Sequence, residues 1–395
     1  MNPHKFPLIV LCAGIPRSRS TWVYNAVLKI AGSCVNVKGG YADDVDALFD
    51  LMASGCQALI VKSHVPSARI LELLRFTQGI AIVSIRDPRD CAASLMEAFD
   101  FTAEFARHSV RRSVDALTSL EEHGFPGLCL RYEDAEDDKA ILRRIADLID
   151  CDIGDQLIQS IVEELSPDVV KQQIQASIKA GTLDPIRPAE SWMEEVHWHP
   201  RHIGDGTPGK FDRILTDAQA YCISRDTRPF MLGNGYAPSE RPAVSESCVV
   251  GMAQDGEAWL DQGFSHTEEW GVWSEGPAAR LIIPVAEVTS LRQVALQIIQ
   301  GPAITEGNAS GRMILNGRKI TEFPLANSRV TETLMVIDLS NETSREIVIE
   351  LEFEDLVSPQ DLGINGDDRM LGIGLRTIHC TTAEEFQGAG ATEDA

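Results

Sequence analysis

Short apolar runs separated by amphipathic stretches set the rhythm of the first 240 or so residues. Residues 9–13 (IVLCA) read as a buried strand. They lead through Gly14-Ile15-Pro16 into residues 21–28, where apolar positions recur at helical spacing. Runs of the same kind stand at residues 58–62, 80–85 and 127–132, and a weaker one at 34–37. Helical patterns fill the intervals, at residues 43–53, 67–75 with Ser67 as cap, 91–98, 101–123 and from Glu133-Asp134 to 149. Strand-like runs alternating with helices predict an α/β fold, a parallel β-sheet with helices on both faces. Residues 154–180 continue as helix, 181–210 are loop-rich with several prolines, and 216–224 return to helix.

Beyond residues 237–249, which have the Pro/Ser/Glu composition of a linker, the period changes. Strand patterns occupy residues 280–285, 293–300, 312–320, 333–338, 346–353 and 371–379 with no helix between them. Asn316-Gly317, flanked by apolar and β-prone residues, is a two-residue hairpin signal. This half predicts a C-terminal antiparallel β-sandwich. The expected organisation is a catalytic domain over 1–236, a linker over 237–249, a sandwich over 250–380 and an acidic, disordered tail over 381–395.

Composition narrows the class. At 395 residues two domains are expected, and 44% hydrophobic content is that of a globular chain. The net charge of −24, most of it from Val250 onward, argues against nucleic acid as a partner. An anion bound here must be held by local cations and backbone groups. No apolar run is long enough for an integral membrane segment. The nine cysteines are scattered with no Cys-x-x-Cys pair, which predicts neither a zinc site nor a disulfide frame and places the protein in a reducing, cytoplasmic setting.

Candidate chemistry gathers where the predicted strands end. The first opens into Arg17-Ser18-Arg19-Ser20-Thr21-Trp22 at the start of a helix, where unpaired N–H groups and the helix dipole favour an anion. The others end in Lys62-Ser63-His64 and in Arg86-Asp87-Pro88-Arg89-Asp90. Ligands of open parallel sheets bind beyond the carboxyl ends of strands. A Walker loop starting at Gly14 would need Gly and Lys where Arg19 and Ser20 stand, so an ATP or GTP hydrolase is disfavoured.

Gly14-Ile15-Pro16-Arg17-Ser18-Arg19-Ser20-Thr21-Trp22 resembles the 5′-phosphosulfate loop of the sulfotransferases, which use 3′-phosphoadenosine-5′-phosphosulfate (PAPS). Lys62-Ser63-His64-Val65-Pro66 is similar to that family's Lys-Thr-His-x-Pro segment. Arg86 with Ser94 looks like its 3′-phosphate motif, and Arg131-Tyr132-Glu133-Asp134 resembles its Tyr-Glu-Asp segment. Arg201-His202-Ile203-Gly204-Asp205-Gly206, running to Lys210, is a looser match to its C-terminal glycine motif. The resemblance covers roughly residues 8–235. It departs from the family pattern at Arg19, where a glycine is usual, and at Arg17, which replaces a lysine.

The resemblance implies a P-loop-like sulfotransferase fold and PAPS as co-substrate, with no metal. It implies catalytic roles for His64 as base, Lys62 and Arg17. Cofactor contacts are implied for Arg17, Ser18, Arg19, Ser20, Thr21, Trp22, Arg86, Ser94, Tyr132, Arg201, His202 and Gly204. The chemistry agrees, because fixed cations stabilise charge that develops on the leaving group and a histidine near neutrality takes the acceptor's proton. His197, His199 and His202 lack the spacing of metal ligands and fit a substrate-loop or lid role better. The sequons at Asn308 and Asn341 are discounted, since nothing suggests secretion.

The C-terminal half looks like sandwich modules appended to bacterial glycan-assembly enzymes, which favours a glycan or glycoconjugate as the hydroxyl acceptor. Trp270 and Trp273 are expected to plug its core, with sugar binding as the other option. Further readings are a non-catalytic nucleotide-binding scaffold and a P-loop carbohydrate kinase. A homodimer is one open option for assembly.

Overall fold

The computed structural model describes residues 7–134, 137–287, 291–300, 310–325 and 332–382. The predicted tail beyond 382 and the sequon at Asn308 lie outside these residues. The chain divides into two compact units, Met1–Leu215 with Ile223–Pro238 and Thr216–Cys222 with Ser239–Ala395.

In the first unit the elements run β1 (Leu8–Gly14), α1 (Ser20–Cys34), β2 (Val37–Tyr41), a 3-10 turn (Val45–Leu48), α2 (Phe49–Ala53), β3 (Ala58–Ser63), α3 (Ala68–Phe76), β4 (Ile80–Ile85), α4 (Pro88–Phe99), α5 (Ala103–Glu122) and β5 (Gly127–Arg131). They continue through α6 (Asp138–Leu148), α7 (Asp155–Glu164), α8 (Pro167–Lys179), α9 (Phe211–Ile214), α10 (Asp217–Asp226), whose first turns belong to the other unit, and α11 (Arg228–Gly233). The strands form one parallel sheet in the order β2-β3-β1-β4-β5.

β1 and β3 are buried along nearly their whole length because both faces of the sheet are covered. Val10, Cys12, Ile60 and Ile82 share a core with Val23, Val27 and Ile30 of α1 and with Leu142 and Ile145 of α6. Helix starts follow local chemistry. The Ser67 hydroxyl accepts from the Ile70 N–H, the Asp87 carboxylate caps α4 with Pro88 in its first turn, and Thr102 caps α5.

Two expectations are corrected here. The second strand lies at Val37–Tyr41 and not at residues 34–37, because α1 continues through Cys34. The cysteines are not all free thiols either. Cys34 and Cys151 form a disulfide across a separation of 117 positions, Cα atoms 6.2 Å apart, which ties the end of α1 to the turn after α6.

The segment between α8 and α9 carries no helix or strand. It is nonetheless fixed. Trp198 is buried in the same core as α1, and the Asn25 Nδ2 of α1 donates to the carbonyl of Val196 at 2.9 Å. Arg201 pairs with Asp100 at 2.7 Å, and Asp90 accepts from the N–H groups of Gly209 and Phe211.

The second unit is an antiparallel sandwich. One sheet runs β13 (Glu332–Asp338), β10 (Leu291–Gln300), β15 (Leu371–Thr382) and β6 (Cys248–Gly251), with β8 (Val272–Glu275) also on β15. The other runs β12 (Arg318–Pro324), β11 (Ser310–Leu315), β14 (Glu346–Glu354), β9 (Ala278–Pro284) and β7 (Leu260–Gln262). Asn316 and Gly317 both have positive φ, 47° and 77°, and join β11 to β12 as the hairpin signal predicts. Inward residues of both sheets form a single core that includes Trp259. Trp270 and Trp273 lie outside that core, contrary to expectation. They are half-buried, in edge-on contact with each other and packed on Gly374 of β15. β6, β7 and β8 are short, and their sequences carry little period-2 signal.

Candidate functional site

A cavity of about 440 Å³ opens beyond the carboxyl ends of the parallel strands. It is lined by Arg17, Arg19, Ser20, Thr21 and Trp22 from the first loop and helix, by Lys62 and His64 after β3, by Arg86, Ser94 and Tyr132, and by His197, His199, His202 and Gly204 of the covering segment. The sites predicted from separate stretches of sequence therefore meet in one place. Ser18 and Arg201 do not line it. Ser18 is buried and its hydroxyl donates to the Ser84 carbonyl at 2.9 Å, and Arg201 is drawn off to Asp100.

The loop is shaped by a close approach and by two unusual residues. A Cβ on Gly14 would fall 2.3 Å from the Ser84 hydroxyl oxygen, so only glycine fits there. Arg17 and Arg19 both take left-handed backbone, with φ of 72° and 73°, at a cost of about 1 kcal/mol each. Arg19 caps α1 in that conformation, which a glycine would adopt without the Cβ penalty. Its guanidinium leaves the loop to pair with Asp138 at 2.7 Å and to lie over the Trp22 ring at 4.0 Å. Arg17 turns the other way, inward. Its Nε donates to the Ser94 hydroxyl at 3.0 Å and its Nη1 to His199 Nε2 at 3.0 Å.

Lys62 and His64 form the second pair. His64 Nδ1 lies 2.6 Å from the Gly14 carbonyl, which can only accept, so Nδ1 carries the hydrogen. Nε2 then accepts from the Lys62 ammonium at 3.0 Å. Burial, reinforced by the Lys62 charge, pushes the imidazole down to about 3, and burial pushes Lys62 down to about 8. The expectation of a histidine near neutrality thus does not describe His64. Asp43, which the sequence did not single out, orients the pair. Burial would raise its carboxyl, but donors from Ser63, Tyr41 and the N–H groups of Val65 and His64 outweigh it and hold the group below its ordinary value.

Arg86 is buried under the Tyr132 ring, 4.1 Å from its centroid. It pairs with Asp90 and donates to the Thr207 carbonyl at 2.9 Å, while the Tyr132 hydroxyl donates to Gly206 O at 3.0 Å. Arg86 Nε, His197 Nε2, His199 Nδ1 and His202 Nδ1 are buried without hydrogen-bond partners among the described residues. Four such atoms around one cavity mark it as built for polar ligand atoms.

The field is cationic. Arg17, Arg19, Lys62, Arg86, Lys171 and Lys210 line the cavity against the single carboxylate of Asp205. Lys210 is buried and paired with Glu97 and Asp205. Burial and the neighbouring Arg86 charge bring Arg17 down to about 10. Burial, with the charges of Lys62 and Arg17, lowers His199 to about 3, and burial with Lys62 lowers His197 to about 4. Among the described residues no group of three or more His, Cys, Asp or Glu side chains could hold a metal ion, and no helix is long and apolar enough to cross a membrane.

No family model and no curated protein matches the chain. Solved structures similar to it include mouse sulfotransferase SULT7A1 complexed with PAP, 15% identical with a TM-score of 0.44 over 58% of this chain and 85% of that one. A retinol dehydratase in complex with androsterone and the inactive cofactor PAP is 15% identical with a TM-score of 0.40, over 58% and 83%. Over 34% of this chain, a CBM36 carbohydrate-binding module in complex with calcium and xylotriose is similar at 14% identity and a TM-score of 0.22, covering 99% of the module.

Proposed function

We propose that the first unit is a PAPS-dependent sulfotransferase acting on an acceptor hydroxyl, with a glycan or glycoconjugate as the acceptor class. The observation that carries the reading is the buried cationic cavity that holds both the Lys62–His64 pair and the unpartnered Arg86 Nε. The phosphosulfate resemblance of the loop and the net charge of −24 around so cationic a pocket support it.

The residues present fit the nucleotide. Arg86 and Ser94 would hold one phosphate, with Arg86 Nε gaining the acceptor it lacks. Arg17, Ser20, Thr21 and the first N–H groups of α1 would hold the other. Tyr132 and Trp22 offer ring faces for the base. When bound, PAPS supplies an activated sulfonate, and no metal is called for.

Arg17 and Lys62 would supply the fixed positive charge that stabilises an oxyanion leaving group. His64 Nε2 is the proton acceptor for the attacking hydroxyl, its tautomer set by the Gly14 carbonyl. Lys62 donates to that nitrogen, and burial, with the Lys62 charge added, depresses its basicity. Negative charge in the cavity draws Lys62 away and offsets its field, and both effects raise the pKa of His64.

Titration calorimetry with adenosine 3′,5′-bisphosphate tests the reading. Micromolar binding that is lost in Arg86→Ala and transfer of labelled sulfonate to a hydroxyl acceptor are expected. Tight magnesium-dependent binding of ATP instead would overturn it.

A further inference from the structure

The sheet order separates two groups of residues at and beside the cavity. Arg86, Ser94 and Tyr132 stand beyond β4 and β5, whereas Tyr41 ends β2 at the opposite edge. Neighbouring strands lie about 4.8 Å apart, so the two edges of this five-stranded sheet are roughly 19 Å apart. His64, after β3, stands next to the β2 edge.

His197 belongs to that second group. Its ring centroid lies 6.1 Å from Tyr41 and 5.0 Å from Tyr24, and Tyr41 is in turn 5.9 Å from His64. The Tyr41 hydroxyl is already committed to Asp43 at 2.8 Å. His197 Nε2 is buried with no partner among the described residues, which leaves it an uncommitted polar atom beside Tyr41.

The position is held at some cost. His197 has φ of 56°, a conformation rare outside glycine and worth about 1 kcal/mol of strain. Its N–H bonds to the Met193 carbonyl at 2.7 Å. On either side, Asn25 holds the Val196 carbonyl and Trp198 is locked in the core. The ring is therefore fixed relative to α1, and so to the loop at the start of that helix.

We propose that His197 is a specificity-determining residue, its Nε2 hydrogen-bonding a second hydroxyl of the acceptor, so that the cavity selects polyhydroxylated, carbohydrate-like acceptors over those with one hydroxyl. This rests on the sulfotransferase reading. A single-hydroxyl acceptor delivers its only oxygen to His64 and buries His197 Nε2 dry, and a site built to pair a substrate hydroxyl discriminates strongly against its absence.

The test compares wild type, His197→Phe, which keeps the ring between Tyr24 and Tyr41, and His197→Gln, which restores a side-chain N–H near the same place. Labelled sulfonate transfer is measured to methyl β-D-glucopyranoside and to 4-nitrophenol, alongside calorimetry with adenosine 3′,5′-bisphosphate. The expected result is a fall in kcat/KM of about tenfold or more for the glucoside in His197→Phe, partly recovered in His197→Gln. Rates with 4-nitrophenol and bisphosphate affinity stay within about twofold. Equal losses with both acceptors, no loss with the glucoside, or a wild type that uses only 4-nitrophenol overturn the proposal while leaving the transferase reading intact. Bisphosphate binding with no transfer to either acceptor overturns the transferase reading itself.

Discussion

Lys62 offers the sharpest test of the site's electrostatics, because its charge is expensive to the fold and useful to the ligand. The side chain is 4% exposed, and burial lowers its pKa from 10.5 to about 8. At about 1.36 kcal/mol per pH unit, the depression costs about 3 kcal/mol wherever both states carry the proton. Lys62→Met removes that cost and also the hydrogen bond to His64 Nε2, about 1 kcal/mol. A net stabilisation of about 2 kcal/mol at neutral pH follows. The sign of the pH dependence is fixed. Between about 8 and 10.5 the unfolded chain holds a proton that the folded one has released, so wild-type stability climbs through that window. The advantage of Lys62→Met is therefore full below pH 8, gone by about pH 9.5 and reversed by about 1 kcal/mol near 10.5. Urea denaturation from pH 6 to 10.5 measures it, following the transition that adenosine 3′,5′-bisphosphate shifts in wild type. A variant that is no more stable, or whose advantage ignores pH, refutes the reasoning. The same substitution weakens bisphosphate binding about tenfold or more, as expected for loss of a charged contact.

His64→Gln is expected to lower sulfonate transfer about 100- to 10,000-fold while calorimetry finds bisphosphate affinity little changed. Arg19→Gly relieves the left-handed strain but gives up the Asp138 pair and the Trp22 contact, so stability moves by less than about 1 kcal/mol. Bisphosphate affinity in that variant stays within about threefold, and a larger loss would place Arg19 on the ligand. Cys34→Ser with Cys151→Ser lowers stability by about 2–4 kcal/mol, read from denaturation. Thiol titration of the unfolded wild type should then find seven free cysteines.

What was legible in the sequence was what is local. Ser67 and Asn316-Gly317 announce their cap and turn within a few residues, and the structure uses each in that way. Buried parallel strands are nearly uniform apolar runs, which is why residues 58–62 and 80–85 stood out. The positions of the loop after β1 and of the Lys62–His64 step at strand ends were readable for the same reason. What escaped depends on distance along the chain. Arg17 meets His199 across 182 positions, Arg19 meets Asp138 across 119, and Cys34 meets Cys151 across 117. Asp43 looked like an ordinary helix-start carboxylate, and only the fold brings Ser63, His64 and Val65 onto it. The second strand departs from its expected position because Val37–Tyr41 (VKGGY) is half polar and glycine-rich, while the residues at the end of α1 imitate a strand.

The cationic pocket inside a chain of net charge −24 has a kinetic consequence. A polyanion approaching from solution first meets the repulsive far field of the whole molecule and feels the pocket only within a Debye length, about 8 Å at physiological ionic strength. Added salt therefore raises both rate constants. It screens the long-range repulsion and speeds arrival, and it weakens the ligand's own ion pairs and speeds departure. Capture and residence of a bisphosphate nucleotide should accelerate and shorten together as salt is raised, a pattern opposite in its association limb to that of a basic nucleotide-binding protein.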